Sequence, residues 1–184
     1  MARSADVYPN WKYYPPRARP PEWALDIVAA FAEARDRIDS TLQLGMDSNA
    51  VLAELRPSLV ALGFDVETGK ARAEKIRRPV LFGDHGTEDL AYEVDAFHQG
   101  MGIALEVEAG RGVLGNAIYR DLIQTSLLID AHFLVLGVLT EYHYKSGGKP
   151  MTSQNYRIVR SILDAIYASN RLSLPLEGIL LIGY

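Results

Sequence analysis

Four carboxylates stand at alternate positions in two short apolar segments. Glu93 and Asp95 lie in Tyr92-Glu93-Val94-Asp95-Ala96-Phe97, and Glu106 and Glu108 in Ile103-Ala104-Leu105-Glu106-Val107-Glu108. Alternate side chains of a strand share a face, so each pair shares one, with Ile103, Leu105 and Val107 left for a core. The link His98-Gln99-Gly100-Met101-Gly102 is short enough for a hairpin. With Gly100-Met101 as its loop, Ala96 faces Leu105, Asp95 faces Glu106 and Glu93 faces Glu108. A slip of one residue would oppose Asp95 to an apolar partner, so the pattern favours the register that gathers the acids. Like charges directly opposite repel. A divalent cation between them reverses that balance. Otherwise a carboxyl takes up a proton, or the groups pair with Arg or Lys on a solvated face. The chemistry such a cation offers is activation of a water and neutralisation of growing negative charge.

The chain has no cysteine. Thiol catalysis, cysteine-ligated metals and disulfide-linked partners are thereby excluded. Abundant carboxylates favour hard ions such as magnesium, manganese or calcium. The four histidines, His85, His98, His132 and His143, are scattered without ligand spacing and read as surface or structural residues.

The elements that must position the acids read as follows. A helix follows Pro21, with Trp23, Ile27, Phe31, Ala34 and Ile38 at helical spacing. A second spans Ser48 to Leu62, is stopped by Gly63 and is kinked or split by Pro57. Phe64-Asp65-Val66 is a short strand. Strands are predicted over Ile76–Phe82, Ala91–Phe97 and Ile103–Ala109, then a helix from Asn116 to Ile129. Phe133–Leu139 reads as a strand buried on both faces. Lys145-Ser146-Gly147-Gly148-Lys149-Pro150 breaks the chain, Ser153–Ala168 is helical, and Gly178–Gly183 is a closing strand. The order implies one α/β domain over 22–184, a mixed sheet flanked by helices on both sides. Residues 1–21, rich in proline, form an extended arm. Its Trp11, Lys12, Tyr13, Tyr14, Arg17 and Arg19 either stack on bases and touch phosphates or pack across the domain or a partner subunit.

At 184 residues with net charge −4 the chain suits one core and is not an all-over basic DNA-coating protein. No apolar run approaches the roughly 18–20 residues of a membrane span. Met1 to Asn10 lacks a signal pattern, so a cytoplasmic location and no membrane partner are expected.

An acidic strand residue, Glu-x-Glu on the hairpin partner and then a helix resemble the restriction-endonuclease-like, or PD-(D/E)xK, superfamily. The Glu-x-Glu form is similar to the variant of BamHI- and BglII-type enzymes, and the likeness runs on to Asn116-x-x-x-Arg120-Asp121-Leu122. The resemblance implies a restriction-endonuclease-like fold and Mg2+- or Mn2+-dependent hydrolysis of DNA phosphodiesters. It also implies metal held by Asp95 and Glu106 with the Val107 carbonyl, and Glu108 as catalytic base. Glu54 fits the upstream acidic residue, and Gln124 is a candidate support. Two departures stand out: no proline precedes Asp95, and Glu108 stands where a lysine is usual. A non-cleaving relative, a DNA-binding or interaction module, would carry much the same sequence. A homodimer is expected if both strands of a duplex are cut.

Lys70, Arg72, Lys75, Arg77 and Arg78 fall within nine residues. They form either a backbone-binding strip or a solvated charge run paired with Glu67 and Glu74. Arg111, Arg120, Lys145 and Lys149 would add to that field, and His98 lies in the hairpin loop. Gly110-Arg111-Gly112-Val113-Leu114-Gly115 matches the G-x-G-x-x-G of dinucleotide-binding enzymes. Against that alternative, Glu106 and Glu108 would lie near the pyrophosphate. A tight strand-to-helix passage accounts for the glycines.

Overall fold

Proline keeps the first segment extended, and the sheet makes use of it. In the computed structural model, which describes residues 7–110, 116–169 and 171–184, strand β1 (Asn10–Tyr14) pairs antiparallel with the last strand, β10 (Gly178–Gly183). Tyr14 is fully buried there and Lys12 binds Asp164 at 2.5 Å. Residues 10–14 thus belong to the central sheet, with their aromatics in its cores.

The remaining elements are α1 (Glu22–Glu33), α2 (Arg35–Ile38), α3 (Ser48–Ala61), β2 (Asp65–Val66), β3 (Ile76–Phe82), β4 (Glu88–Val94), β5 (Ala96–His98) and β6 (Ile103–Glu108). They are followed by α4 (Ala117–Leu127), β7 (Phe133–Val138), β8 (Tyr142–Ser146), β9 (Lys149–Ser153) and α5 (Asn155–Ala168). Six strands form one sheet in the order β1-β10-β7-β6-β5-β2. β6, β7 and β10 run parallel, and β1, β5 and β2 pair antiparallel.

Alternation within the strands assigns the two faces. Ile103, Leu105, Val107, Val135, Leu180 and Ile182 share a core with Ile27 and Phe31 of α1 and Leu52, Leu55 and Leu59 of α3. Ala104, Leu134, Leu136, Val138, Ile179 and Leu181 share the opposite core with Ile118 and Leu122 of α4 and Val159 and Leu163 of α5. Burying each large aliphatic side chain contributes ~1.5–3 kcal/mol. Helices therefore cover both sides, as the pattern implied. At the centre Gly137 pairs with Val107 and lets α1 approach: a Cβ there would meet the Phe31 ring at 3.1 Å.

Three expectations change. Pro57 lies inside α3 without splitting it; Asp47 caps that helix, accepting from the Ala50 N–H at 2.8 Å, and Gly63 (φ +92°) follows its end. The stretch Ala91–Phe97 is two strands, because Asp95 is a bend. Before the bend β4 pairs, among the described residues, only with β3, in a separate two-stranded sheet; after it β5 joins β2 and β6. The segment around Lys145–Pro150 is the tip of a β8–β9 hairpin. Gly147 and Gly148 both take positive φ, which the tightest hairpin turns require, and Pro150 is tolerated on a strand with no further neighbour among the described residues.

Candidate metal and phosphodiester site

The expected register holds where the ladder exists: Ala96 faces Leu105 and His98 faces Ile103. The turn between them spans residues 99–102, with the Met101 and Gly102 N–H groups directed at the His98 carbonyl. Beyond Ala96–Leu105 the ladder stops. Asp95 uses the freed edge of β6 differently: its Oδ2 accepts from the Val107 N–H at 2.7 Å. A strand residue presents its N–H and C=O to the same edge, so the Val107 carbonyl also opens beside Asp95.

Glu106 and Glu108 project from the α4 side of the sheet, since their neighbours Ile103, Leu105 and Val107 face α1 and α3. There they meet Arg120 and Asp121 of α4. The Arg120 Nη2 lies 3.0 Å from Glu108 Oε1 and 3.0 Å from Asp121 Oδ1. Asp121 is buried, and its Oδ2 has no hydrogen-bond partner among the described residues. Arginine therefore neutralises the Glu108–Asp121 flank. Asp95 and Glu106 have no ion-pair partner among the described residues.

Glu93 does not complete a four-acid cluster with Glu108. It pairs with Arg77 across the β3–β4 ladder, because the bend at Asp95 hands β4 to a different neighbour. Glu67 takes the place sequence reasoning missed. It follows β2, its N–H donates to the Asp95 carbonyl at 2.9 Å, and Lys75 Nζ binds its two oxygens at 3.0 and 2.8 Å. Only the pairing of β2 with β5 puts Glu67 there, and no local spacing signals it. Glu54 is not brought to the site: its carboxylate holds Arg37 at 2.7 Å on the exposed side of α3. Glu67, Lys75, Glu93, Asp95, Glu106, Arg120, Asp121 and Gln124 line one polar cavity of about 440 Å³.

Burial is the first cause of the acids' altered protonation. It pushes Asp95 up to about 6, against the Val107 hydrogen bond and with the charges of Glu67 and Asp121. Glu106 is held well above its ordinary value by burial, then by Asp95, Asp121 and Glu108. Glu108 rises to about 8 through burial and the neighbouring Asp121 carboxyl, opposed by Arg120. Asp121 is raised by burial against Arg120. Lys75 is raised by its hydrogen bond to Glu67, against the effect of burial. Cations are thus favoured here and negative charge is in excess, the condition a divalent ion relieves. All donors are hard oxygens, which fits magnesium or manganese. Among the described residues no three His, Asp or Glu side chains form a ready-made ligand cage.

The proposed phosphate strip is largely self-neutralised. Lys75 binds Glu67, Arg77 binds Glu88 at 3.3 Å, and Arg78 binds Asp130 at 2.7 Å and Gln99 at 2.6 Å. Lys70 and Arg72 are exposed. His98 packs its ring edge-on against Phe64 and accepts from Met101 N–H. Of the Gly110–Gly115 motif, Gly110 has φ +71°; residues 111–115, Arg111 included, lie outside the described residues.

No family model and no curated protein matches the chain. Among solved structures it is similar to restriction endonuclease BglII complexed with a DNA 16-mer, with a TM-score of 0.50 and 13% sequence identity. The likeness covers 96% of this chain and 76% of that one. The fold is restriction-endonuclease-like: a central mixed sheet with helices on both sides. Among the described residues no helix is long and apolar enough to cross a membrane.

Proposed function

We propose that this chain is a metal-dependent endonuclease that hydrolyses DNA phosphodiester bonds with Mg2+ or Mn2+. One observation carries the reading: Asp95 and Glu106 line the same polar cavity at the bend between β4 and β5, and neither has a neutralising partner among the described residues. The likeness in fold to an endonuclease supports it.

In this reading Asp95 and Glu106 would hold the ion, with the Val107 carbonyl at the same edge. The ion supplies water activation and offsets charge growing on the phosphate. Val107 N–H fixes the Asp95 carboxylate, and the Glu67 N–H fixes the Asp95 carbonyl, so the acid is oriented before substrate arrives. Glu108, raised by burial and Asp121 in the metal-free chain, would take a proton from the attacking water once it is ionised. Lys75 and Arg120 stand at the cavity wall, each already paired with an acid, Lys75 with Glu67 and Arg120 with Glu108 and Asp121. A second copy would supply the other strand's site. Tyr119 of α4, which with Ile158 and Ile162 of α5 lines an apolar groove of about 650 Å³, and the exposed Ile123 and Leu127 of the same helix support that arrangement.

The test is incubation of purified protein with plasmid and magnesium or manganese beside Asp95→Ala and Glu106→Ala. Cleavage by wild type, with a loss of at least ~100-fold in each variant, is the expected result. Arg120 on Glu108 and Asp121 favours a second reading, a non-cleaving DNA-binding module. DNA binding without cleavage under either ion would establish that reading instead.

A further inference from the structure

The strip expected to grip phosphate is mostly tied up in ion pairs, so the basic surface must be sought elsewhere. Between Tyr142 and Ser153 the sequence holds Lys145 and Lys149 and no Asp or Glu, in a chain of net charge −4. That segment is the β8–β9 ribbon, a two-stranded sheet of its own. Residues 145–152 are exposed, and neither lysine has an ion-pair partner among the described residues.

The ribbon is placed and stiffened for contact. Glu108 and Val138 are partners in the parallel β6–β7 ladder, and β8 begins four residues beyond Val138. It therefore leaves the sheet at the end where Glu108 lies, and the Tyr142 ring passes beside Gly110. At its base Gln154 donates to Glu141 at 2.9 Å. Along it the Tyr142 and Tyr144 rings stack at 5.4 Å, and Thr152 and His143 meet across the strands at 3.1 Å. With a Gly147-Gly148 turn the ribbon is preformed, so little ordering is needed on binding.

We propose that the β8–β9 ribbon is the element that enters the major groove of duplex DNA, Lys145 and Lys149 each reaching a phosphate wall. The assignment rests on the phosphodiester reading above. The register puts Ser146 opposite Lys149 and Tyr144 opposite Met151. Lys149 therefore shares the Tyr144 face and Lys145 shares the His143 face, so a ribbon inserted tip-first directs one lysine to each side. Strands of five residues give a reach of ~17 Å. A groove ~12 Å wide and ~8.5 Å deep admits a two-stranded ribbon. The deep, narrow major groove of double-stranded RNA does not.

The experiment is fluorescence anisotropy with a duplex of about 20 base pairs, in EDTA, between about 50 and 200 mM salt. Wild type and Lys145→Gln/Lys149→Gln are compared, with a double-stranded RNA of equal length alongside. Loss of two phosphate contacts flattens the plot of log K against log salt by ~1.8. Affinity for DNA then falls roughly 10-fold or more. The tip is exposed, so unchanged circular dichroism and melting confirm that the double variant is folded. The proposal is overturned if the double variant keeps the wild-type slope, if wild type does not bind the duplex, or if RNA binding falls equally. Ribbon-dependent binding without plasmid cleavage would remove the nuclease reading alone. Cleavage with a ribbon-independent slope would remove this proposal alone.

Discussion

Replacing Asp95 by Asn should stabilise the metal-free protein while abolishing its response to metal. The variant keeps a side-chain oxygen for the Val107 N–H and removes the charge. In the folded chain the wild-type carboxyl titrates near 6 rather than 3.8, because burial opposes ionisation more than the Val107 bond favours it. That difference of about two, at ~1.4 kcal/mol each, makes ionised Asp95 cost ~3 kcal/mol. Below the unfolded value the group is protonated in both states and the cost is absent. It grows as pH rises and is complete above about 6. In EDTA, wild type and variant should therefore melt together near pH 4. At pH 8 the variant should melt ~6–12 °C higher, taking 2–4 °C per kcal/mol for a chain of this size. Adding manganese should raise the wild-type midpoint and leave the variant's in place. Melts followed by circular dichroism at several pH values decide the matter. A variant melting below wild type at pH 8 in EDTA would refute the reasoning, since Asp95 would then contribute more through its contacts than it costs through its charge.

Glu67→Gln should lower plasmid cleavage by at least ~10-fold, since it weakens the anchor of Lys75 at the cavity wall, whereas Glu54→Gln should change stability by no more than ~1 kcal/mol and leave cleavage intact. Equal losses in both variants would refute the placement. Arg120→Ala should cost ~1–2 kcal/mol at pH 8 in EDTA, less than a fully buried pair because Arg120 is 59% exposed. Manganese should restore part of that loss; denaturant titrations in EDTA and in manganese measure both.

The two-residue period of β6 made the orientation of Glu106 and Glu108 legible. Its apolar half had to face α1 and α3, which sent the acids to the side of α4. The pairing of Ala96 with Leu105 was legible for the same reason. Where that ladder ends was not, because Glu93 continues the alternation perfectly well while belonging to a strand paired with β3. Glu67 was legible as a partner of the basic run but not as a wall of the cavity: its position depends on a two-residue strand, β2, meeting β5 some thirty positions away. The neutralisation of Lys75, Arg77 and Arg78 is likewise a product of tertiary pairing, with Glu67, Glu88 and Asp130. Gly, Gly and Pro at the tip of the β8–β9 ribbon signal a turn without saying that strands flank it, so only a break in the chain is legible there.

The bend at Asp95 divides responsibilities along the chain. On one side the backbone answers to the central sheet; on the other it answers only to β3, and from Leu81 to Leu90 every residue is exposed. An outgrowth attached in this way can be shortened, lengthened or exchanged while the acid at its root keeps its alignment with β6. Chimeras that swap residues 81–90 should therefore leave the Asp95–Val107 hydrogen bond in place.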